Sequence, residues 1–575
     1  MVADGCTSRR DRDGETAPRY EARITHVPIL GRVDDQVLPD PAAVELSEGG
    51  SIETSAHGRK LALSTLIFAA ATAISRVVGL AREVLAANYF GIQGAGINAF
   101  TAAFQVPNLI RALVADAALS SAFVPVFSEL LVKGERKRAW RVASSLFWLM
   151  LLGLGALTAL FVLIAPLVMS VFGFHGYQQE LAVTLSRILF PIVALLGLSG
   201  IVVGILNSYE HFSVPALTPV FWNLAIIAGL VIGVPMTNST TTQLYIYAGS
   251  ILVGTVIQFL LPLPWLYGLD GRLRPVIDWR DPAVKRVFVL MGPVALGLGL
   301  INFNVMLGTI FASRLIDPTI APSAIAKAFL IYMLPQGIFS VAIATVLFPT
   351  LSRAAAQANW DSFRDTFSVG MRQIAFTLVP VSAVSIVLAT PIVRLLYERG
   401  QFTPHQTTVV AACLVAYSVG LAFNGFMLML NRGFFALQRP WMPTVVALGN
   451  LALNAVLYFA LYRVGPWGIP LAISIANILG TAALLVLLRR RIGRIDFGQI
   501  LSSFVRVAAA SVVFAALGYG IWRGLDSLLG RSLPAQMASL GTALVAGLVA
   551  YLLSARSLGV RELQTLLALR SRRAT

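Results

Sequence analysis

The chain has 575 residues, 57% of them hydrophobic and only 12% charged, with a mean hydropathy of +0.77 and a formal net charge of +17 at pH 7. A soluble domain of this length does not carry so much apolar surface with so little charge, so the composition excludes one and indicates a polytopic membrane protein. Cys6 and Cys413 are separated by most of the chain, and His26, His57, His175, His211 and His405 are scattered without ligand spacing, which excludes a disulfide framework and gives no reason to expect a metal site.

Residues 1–58 are polar, rich in Asp, Glu and Arg, and hold no apolar segment of the kind a signal peptide needs; they read as a disordered cytoplasmic tail. From there on, windows of about 20 apolar residues mark spans. Fourteen are expected, at roughly 61–87, 96–127, 142–172, 180–208, 214–234, 243–267, 284–314, 321–350, 362–392, 406–433, 442–462, 467–488, 499–522 and 534–555. Lys and Arg crowd the loops on the side of the N-terminal tail, as in Lys133, Arg136, Lys137, Arg138 and Arg141, or Arg489, Arg490, Arg491 and Arg494. By the positive-inside rule both termini are then cytoplasmic. The same clusters supply most of the net positive charge, so it is not read as nucleic-acid binding.

The first two spans break the rule that charge stays in the loops. They hold Arg76, Arg82 and Glu83, then Arg111 and Asp116. A basic side chain at mid-bilayer costs about 2.5–3.5 kcal/mol even on a lenient insertion scale, so three of them are expected to face a hydrated cavity with an anionic occupant. Arg76, Gly79 and Glu83 share one helix face, from which Arg82 points away; Asn108 and Arg111 share a face of the second span, with Asp116 well round from it. Glu83 and Asp116 read as partial counter-ions. A purely structural ion-pair network, the alternative, would tend to neutrality, whereas cations are in excess here. Guanidinium groups without matching carboxylates suit a phosphate or diphosphate, which arginine grips in bidentate fashion.

An internal echo points to the architecture. Phe123-Val124-Pro125-Val126-Phe127-Ser128 resembles Leu347-Phe348-Pro349-Thr350-Leu351-Ser352, and the offset from Pro125 to Pro349 recurs unchanged in the pairs Asn207/Asn431 and Pro219/Pro443. The repeat covers six spans, an even number, so the two copies are parallel and are expected to form two lobes that rock about a central site. Residues 59–280 make the first lobe, 281–490 the second, 491–557 an appended hairpin and 558–575 a cytoplasmic C-terminal tail. The expected fold is therefore all-α, with two parallel six-helix lobes around a cavity and two extra helices. Pro107, Pro191, Pro293, Pro335 and Pro380 fall inside spans, where they can kink a helix. The lobes differ in chemistry: Arg111 corresponds at the repeat offset to Pro335, and the second lobe offers few cations, Lys327 and Arg372 among them.

Ser75-Arg76-Val77-Val78-Gly79-Leu80-Ala81-Arg82-Glu83, Asn98-Ala99-Phe100, Val106-Pro107-Asn108-Leu109-Ile110-Arg111 and Ala122-Phe123-Val124-Pro125 closely resemble the opening signature of the MurJ (MviN) family of lipid II flippases. Gly204-Ile205-Leu206-Asn207, Leu396-Tyr397-Glu398-Arg399-Gly400-Gln401-Phe402-Thr403 and Arg432-Gly433-Phe434-Phe435-Ala436-Leu437 extend the likeness over roughly residues 60–560. The resemblance implies a member of the multidrug/oligosaccharidyl-lipid/polysaccharide exporter superfamily in the bacterial plasma membrane. It would be a transporter and not an enzyme, moving undecaprenyl-diphosphate-linked disaccharide-pentapeptide to the outer leaflet for peptidoglycan synthesis. It also implies that Arg76, Arg82 and Arg111 hold the diphosphate, and together with the charge pattern it leads to Glu83, Asn98, Asn108, Asp116 and Lys327 being expected around the cavity. Two positions depart from the family pattern: Asn98 stands where an acid is common, and Leu330 where some members have arginine.

The mechanism expected from both readings is alternating access, with the polyprenyl tail left in lipid beside the appended hairpin. The expected partners are lipid II and membrane lipids, the chain acting as a monomer or with the cell-wall synthesis machinery. No Walker A sequence is present, and Gly91-Ile92-Gln93-Gly94-Ala95-Gly96 reads as a turn, so no cofactor is expected and the drive is left to product consumption, membrane potential or a coupled ion. A flippase for another polyprenyl-diphosphate glycan remains open, since the arginines read diphosphate and not sugar. A cation or drug antiporter of the same superfamily would need cavity acids, which are scarce, and a non-transporting scaffold would need no polar cavity at all.

Overall fold

The computed structural model describes residues 49–114, 117–493 and 497–563, and among them there is no strand. Asp116 and the greater part of both expected tails lie outside the described residues. The first half runs α1 (Gly49–Phe90), α2 (Ala95–Val114), α3 (Ala117–Val132), α4 (Arg136–Ser170), α5 (Tyr177–Leu189), α6 (Ile192–Ser208), α7 (Ser213–Ala228) and α8 (Thr240–Leu260). The second runs α9 (Pro282–Phe311), α10 (Ala321–Pro335), α11 (Val341–Ala356), α12 (Trp360–Val387), α13 (Ala389–Tyr397), α14 (Pro404–Val419), α15 (Leu421–Ala436), α16 (Trp441–Leu461) and α17 (Gly468–Ile492); α18 (Phe497–Leu529) and α19 (Leu533–Ser557) follow. Because α1 begins at Gly49, residues 49–58, expected in a disordered tail, are helical.

The repeat is visible in the element boundaries. Both ends of α11 follow the ends of α3 by the offset that relates Pro349 to Pro125, and α12 starts the same distance after α4. Buried apolar side chains likewise gather in two cores. One takes residues from Ala86 to Val287; the other takes Ala87 and Ile92 and then residues from Ala312 to Leu563. Consecutive residues Ala86 and Ala87 serve different cores, so α1 runs between them. The cores change over within α9: Ala283, Val284 and Val287 are in the first, and toward the end of the helix Met306 and Ile310 pack on the first core while Leu307 and Phe311 pack on the second.

Eleven helices among the described residues are long and apolar enough to cross a membrane, or twelve if α14 and α15, bent by 42°, count as one span. They coincide with the third to fourteenth expected spans. Arg76, Arg82, Glu83 and Arg111 lie ahead of these spans, in α1 and α2. The bend in α14/α15 has a local cause: the backbone of Gly420 approaches α17 so closely that a Cβ there would sit 2.6 Å from Cα of Ser474, whose hydroxyl accepts the Gly420 N–H at 3.1 Å.

Of the prolines expected to disturb spans, Pro107, Pro293 and Pro380 lie inside continuous helices and Pro191 marks the break between α5 and α6. Pro335 ends α10 and is followed by a π-helical turn, Gln336–Ser340, that leads directly into α11. The appended α18 packs on α12, and α19 on α13 and α18. Arg394 of α13 pairs with Asp526 of α18 at 2.9 Å and lies over the Trp522 ring, while the Tyr551 hydroxyl of α19 donates to the Phe376 carbonyl of α12 at 2.7 Å.

Candidate functional site

The charged side chains of α1 divide as helical spacing requires. Arg82 turns toward the first half, where its guanidinium covers the Trp222 ring of α7 at 4.7 Å, and its Nη2 donates to Glu83 Oε1 at 2.6 Å. Glu83 turns toward the second half, where its Oε2 accepts from Lys327 Nζ of α10, also at 2.6 Å. Lys327 is 9% exposed and lies over the Tyr397 ring at 5.5 Å. One carboxylate thus sits between two cations, one from each half, and Arg82 Nε stays buried without a hydrogen-bond partner among the described residues. A buried ion is retained only where partners replace its hydration, and this row has one cation more than it has anions.

Arg76 is exposed and lies against the π-helical turn after Pro335, where a Cβ on Gly337 would come within 3.4 Å of its Nη1. A side-chain methyl at position 337 would thus touch this guanidinium at ordinary van der Waals distance. Gly79 faces α7, where a Cβ would meet the Asn223 side chain at an ordinary contact distance of 3.6 Å. Arg111 donates to Asn108 Oδ1 at 2.9 Å, as expected of neighbours one helical turn apart, and Asn108 Nδ2 donates to Asn302 Oδ1 of α9 at 3.1 Å. The structure thus groups Arg82, Glu83 and Lys327 directly, with Arg76 two turns before Glu83 on α1 and Arg111 on α2.

Asn98 stands apart and does not fit the expectation of a cavity-lining residue. It is fully buried, its amide nitrogen donating to the carbonyls of Ile92 and Gly94 at 2.9 Å and of Thr319, and its Oδ1 accepting from Ser323 N at 2.9 Å. It belongs to a polar clamp between the halves at the end where α1, α4, α9 and α13 finish. There Gly94 N donates to Thr319 O at 2.8 Å, Ile92 N to Gln406 Oε1 at 2.9 Å, Gln401 N to Asn88 O at 2.9 Å and Gln178 Nε2 to Pro318 O at 2.8 Å. Gly400, at φ +57°, lets the two backbones meet, since a Cβ would fall on the Asn88 carbonyl.

At the opposite end α9 is tied to the first half by exposed ion pairs, Arg286 with Glu129 at 2.8 Å and Arg138 with Asp281 at 3.3 Å. Burial raises the Asp281 carboxyl, but the hydrogen bonds from Arg138 and the Ala283 N–H outweigh it and hold the group below the usual aspartate value.

Sequence reasoning did not single out Trp222, Asn302, Gly337 or Tyr397. Tyr397 lies within a quoted motif, but nothing in the sequence ties it to Lys327, three helices earlier in the chain.

Residues 86–541 match the sequence profile of a family described as lipid II flippase MurJ. A lipid II flippase MurJ of Burkholderia cenocepacia is 32% identical over 456 residues, which cover 78% of this chain and 87% of the relative. A probable lipid II flippase MurJ of Vibrio cholerae is 33% identical over 444 residues, 74% of this chain and 82% of the relative. Among solved structures, a lipid II flippase MurJ in an inward closed conformation superposes with a TM-score of 0.70 at 24% identity, covering 86% of this chain and 99% of that one. An inward-facing multidrug resistance MATE family transporter of the MOP superfamily gives 0.64 at 15% identity over 74% of this chain and 98% of that one, so the fold is shared beyond recognisable sequence. With its signature in α1 and α2 and relatives at this identity along most of its length, the chain belongs to the MurJ family.

Proposed function

We propose that the chain is a lipid II flippase of the bacterial cytoplasmic membrane, carrying the disaccharide-pentapeptide head of its substrate from the inner to the outer leaflet by alternating access. The observation that carries this reading is the row Arg82–Glu83–Lys327, a cation-rich link that joins the two halves within the membrane. A diphosphate entering beside it competes with Glu83 for both cations. Arg76 and Arg111 make the first contacts, and Arg82 and Lys327 close on the phosphates as Glu83 is displaced. Binding thereby loosens a bond between the halves, which is what a rocking transporter needs of its ligand.

In this reading both termini are cytoplasmic, so the polar clamp around Asn98 closes the outer side and the substrate enters from the inside. The chain works as a monomer or beside the cell-wall synthesis machinery, uses no nucleotide, and draws its drive from downstream consumption of product, from the membrane potential or from a coupled ion. The test is rescue of cells depleted of their own lipid II flippase, scoring outer-leaflet lipid II with an added cleaving enzyme. Wild type restores cleavable lipid II, whereas Arg76→Ala, Arg82→Ala and Arg111→Ala, each present in the membrane at equal amount, do not. A well-expressed wild type that restores none would point to another polyprenyl-diphosphate glycan.

A further inference from the structure

We propose that a pocket between α12, α18 and the segment after α19 binds the phosphate of an anionic phospholipid headgroup. The cavity holds about 60 Å³ and is lined by Arg372 of α12, by Gln499, Ser503 and Arg506 of α18, and by Arg561 and Glu562 beyond α19. Among the described residues, the lining holds three guanidinium groups and one carboxylate. Glu562 pairs through Oε1 with Arg372 Nε at 3.0 Å, and its Oε2 accepts from Ser503 at 3.1 Å, so the carboxylate offsets one of these cations. Arg372 Nη1 donates to Gln499 at 3.3 Å and Arg506 Nη1 to the Gly559 carbonyl at 3.2 Å. Arg506 has that one hydrogen bond among the described residues, and a guanidinium has five N–H donors. A phosphate oxygen is the acceptor that such forks match in pairs.

The surroundings select a lipid over a free ion. Ser502 and Arg506 form one stripe of α18, and Leu501 and Val505, 48% and 57% exposed, form the stripe next to it. Leu553 of α19 and Leu558 add exposed apolar surface, 62% and 41%. The pocket lies at the start of the span Gly498–Leu529 and just past the end of Leu533–Ser557, the level at which a bilayer carries its phosphates. A headgroup seated there places its acyl chains along Leu501 and Val505 and fastens the appended hairpin to α12. This site is separate from the Arg76–Lys327 region and does not rest on the transport reading.

The test uses the full chain in detergent, titrated with phosphatidylglycerol, phosphatidylcholine or inorganic phosphate and read by native mass spectrometry. Wild type retains phosphatidylglycerol over phosphatidylcholine, and Arg506→Gln/Arg561→Gln lowers that retention about tenfold. Arg439→Gln, an exposed arginine elsewhere, leaves it unchanged, and Arg506→Lys/Arg561→Lys recovers part of it. Both changed side chains are exposed, so each single variant carries the same test if the double variant does not fold. Equal retention by wild type and the glutamine variants overturns the proposal. So does an arginine-dependent uptake of inorganic phosphate without any of phosphatidylglycerol, which would mark a free-anion site.

Discussion

The two halves are joined in two chemically different ways. At one end the clamp around Asn98 and Gln406 is neutral and leans on backbone groups, with partners set by the meeting of two turns. Deeper in the bundle the link is ionic, with Glu83 held by Arg82 and Lys327. Neutral hydrogen bonds exchange for water at small net cost, about 0.5–1.5 kcal/mol each, so a clamp of this kind can open and close. An ionic link cannot be left half-broken in a dry site, so it stays shut until another anion takes the carboxylate's place. The difference assigns reversibility to one region and ligand dependence to the other.

The sharpest break of this contrast is Glu83→Ala, which leaves two cations facing one another. It is expected to lower stability by about 3–5 kcal/mol in thermal unfolding of the purified protein, and the double change Glu83→Gln/Lys327→Met should recover much of the loss. Gly400→Ala forces an alanine into the left-handed region against the Asn88 carbonyl, with an expected cost of about 1–3 kcal/mol. It should raise labelling of a cysteine introduced near Thr319 by a membrane-impermeant thiol reagent; unchanged labelling would mean the clamp does not control access. Asn98→Ala strands buried carbonyls and should shift the same labelling in the same direction, by about 1–3 kcal/mol.

Smallest of all is Arg138→Gln, worth about 1 kcal/mol or less because the pair is exposed, and its effect should vanish in high salt. Asp281 has its value depressed in the folded chain, so its contribution is complete above the ordinary aspartate value of about 3.9 and is lost as pH falls through the lower folded value. Stability curves of wild type and Arg138→Gln should therefore converge on acidification and differ at neutral pH.

Much of the architecture was readable because it is written in local patterns. Apolar windows found the third to fourteenth spans, and three matches at one offset anticipated element boundaries that agree to the residue for α3 and α11. The arginines stood out because charge inside an apolar run is costly wherever it occurs. What escaped depends on contacts between distant segments. Lys327 is expected around the cavity, but its bond to Glu83 needs the fold. Asn98 was expected in a cavity because its position resembles that of a family acid, but whether an amide lines a space or fills a joint is decided by Thr319 and Ser323, which belong to the other half of the chain. Departures from α-geometry, such as the turn at Gln336–Ser340, have no periodic signature of their own.

That turn has a mechanical meaning. A π-helical turn holds one residue more than the α-helix around it, and the surplus can move along the rod by exchanging one hydrogen bond at a time. Each step turns the part it passes by about 100°, the angle of one residue in an α-helix. A shift of this turn beside Arg76 would therefore re-aim the side chains it passes while leaving the two ends of the rod from α10 to α11 in place.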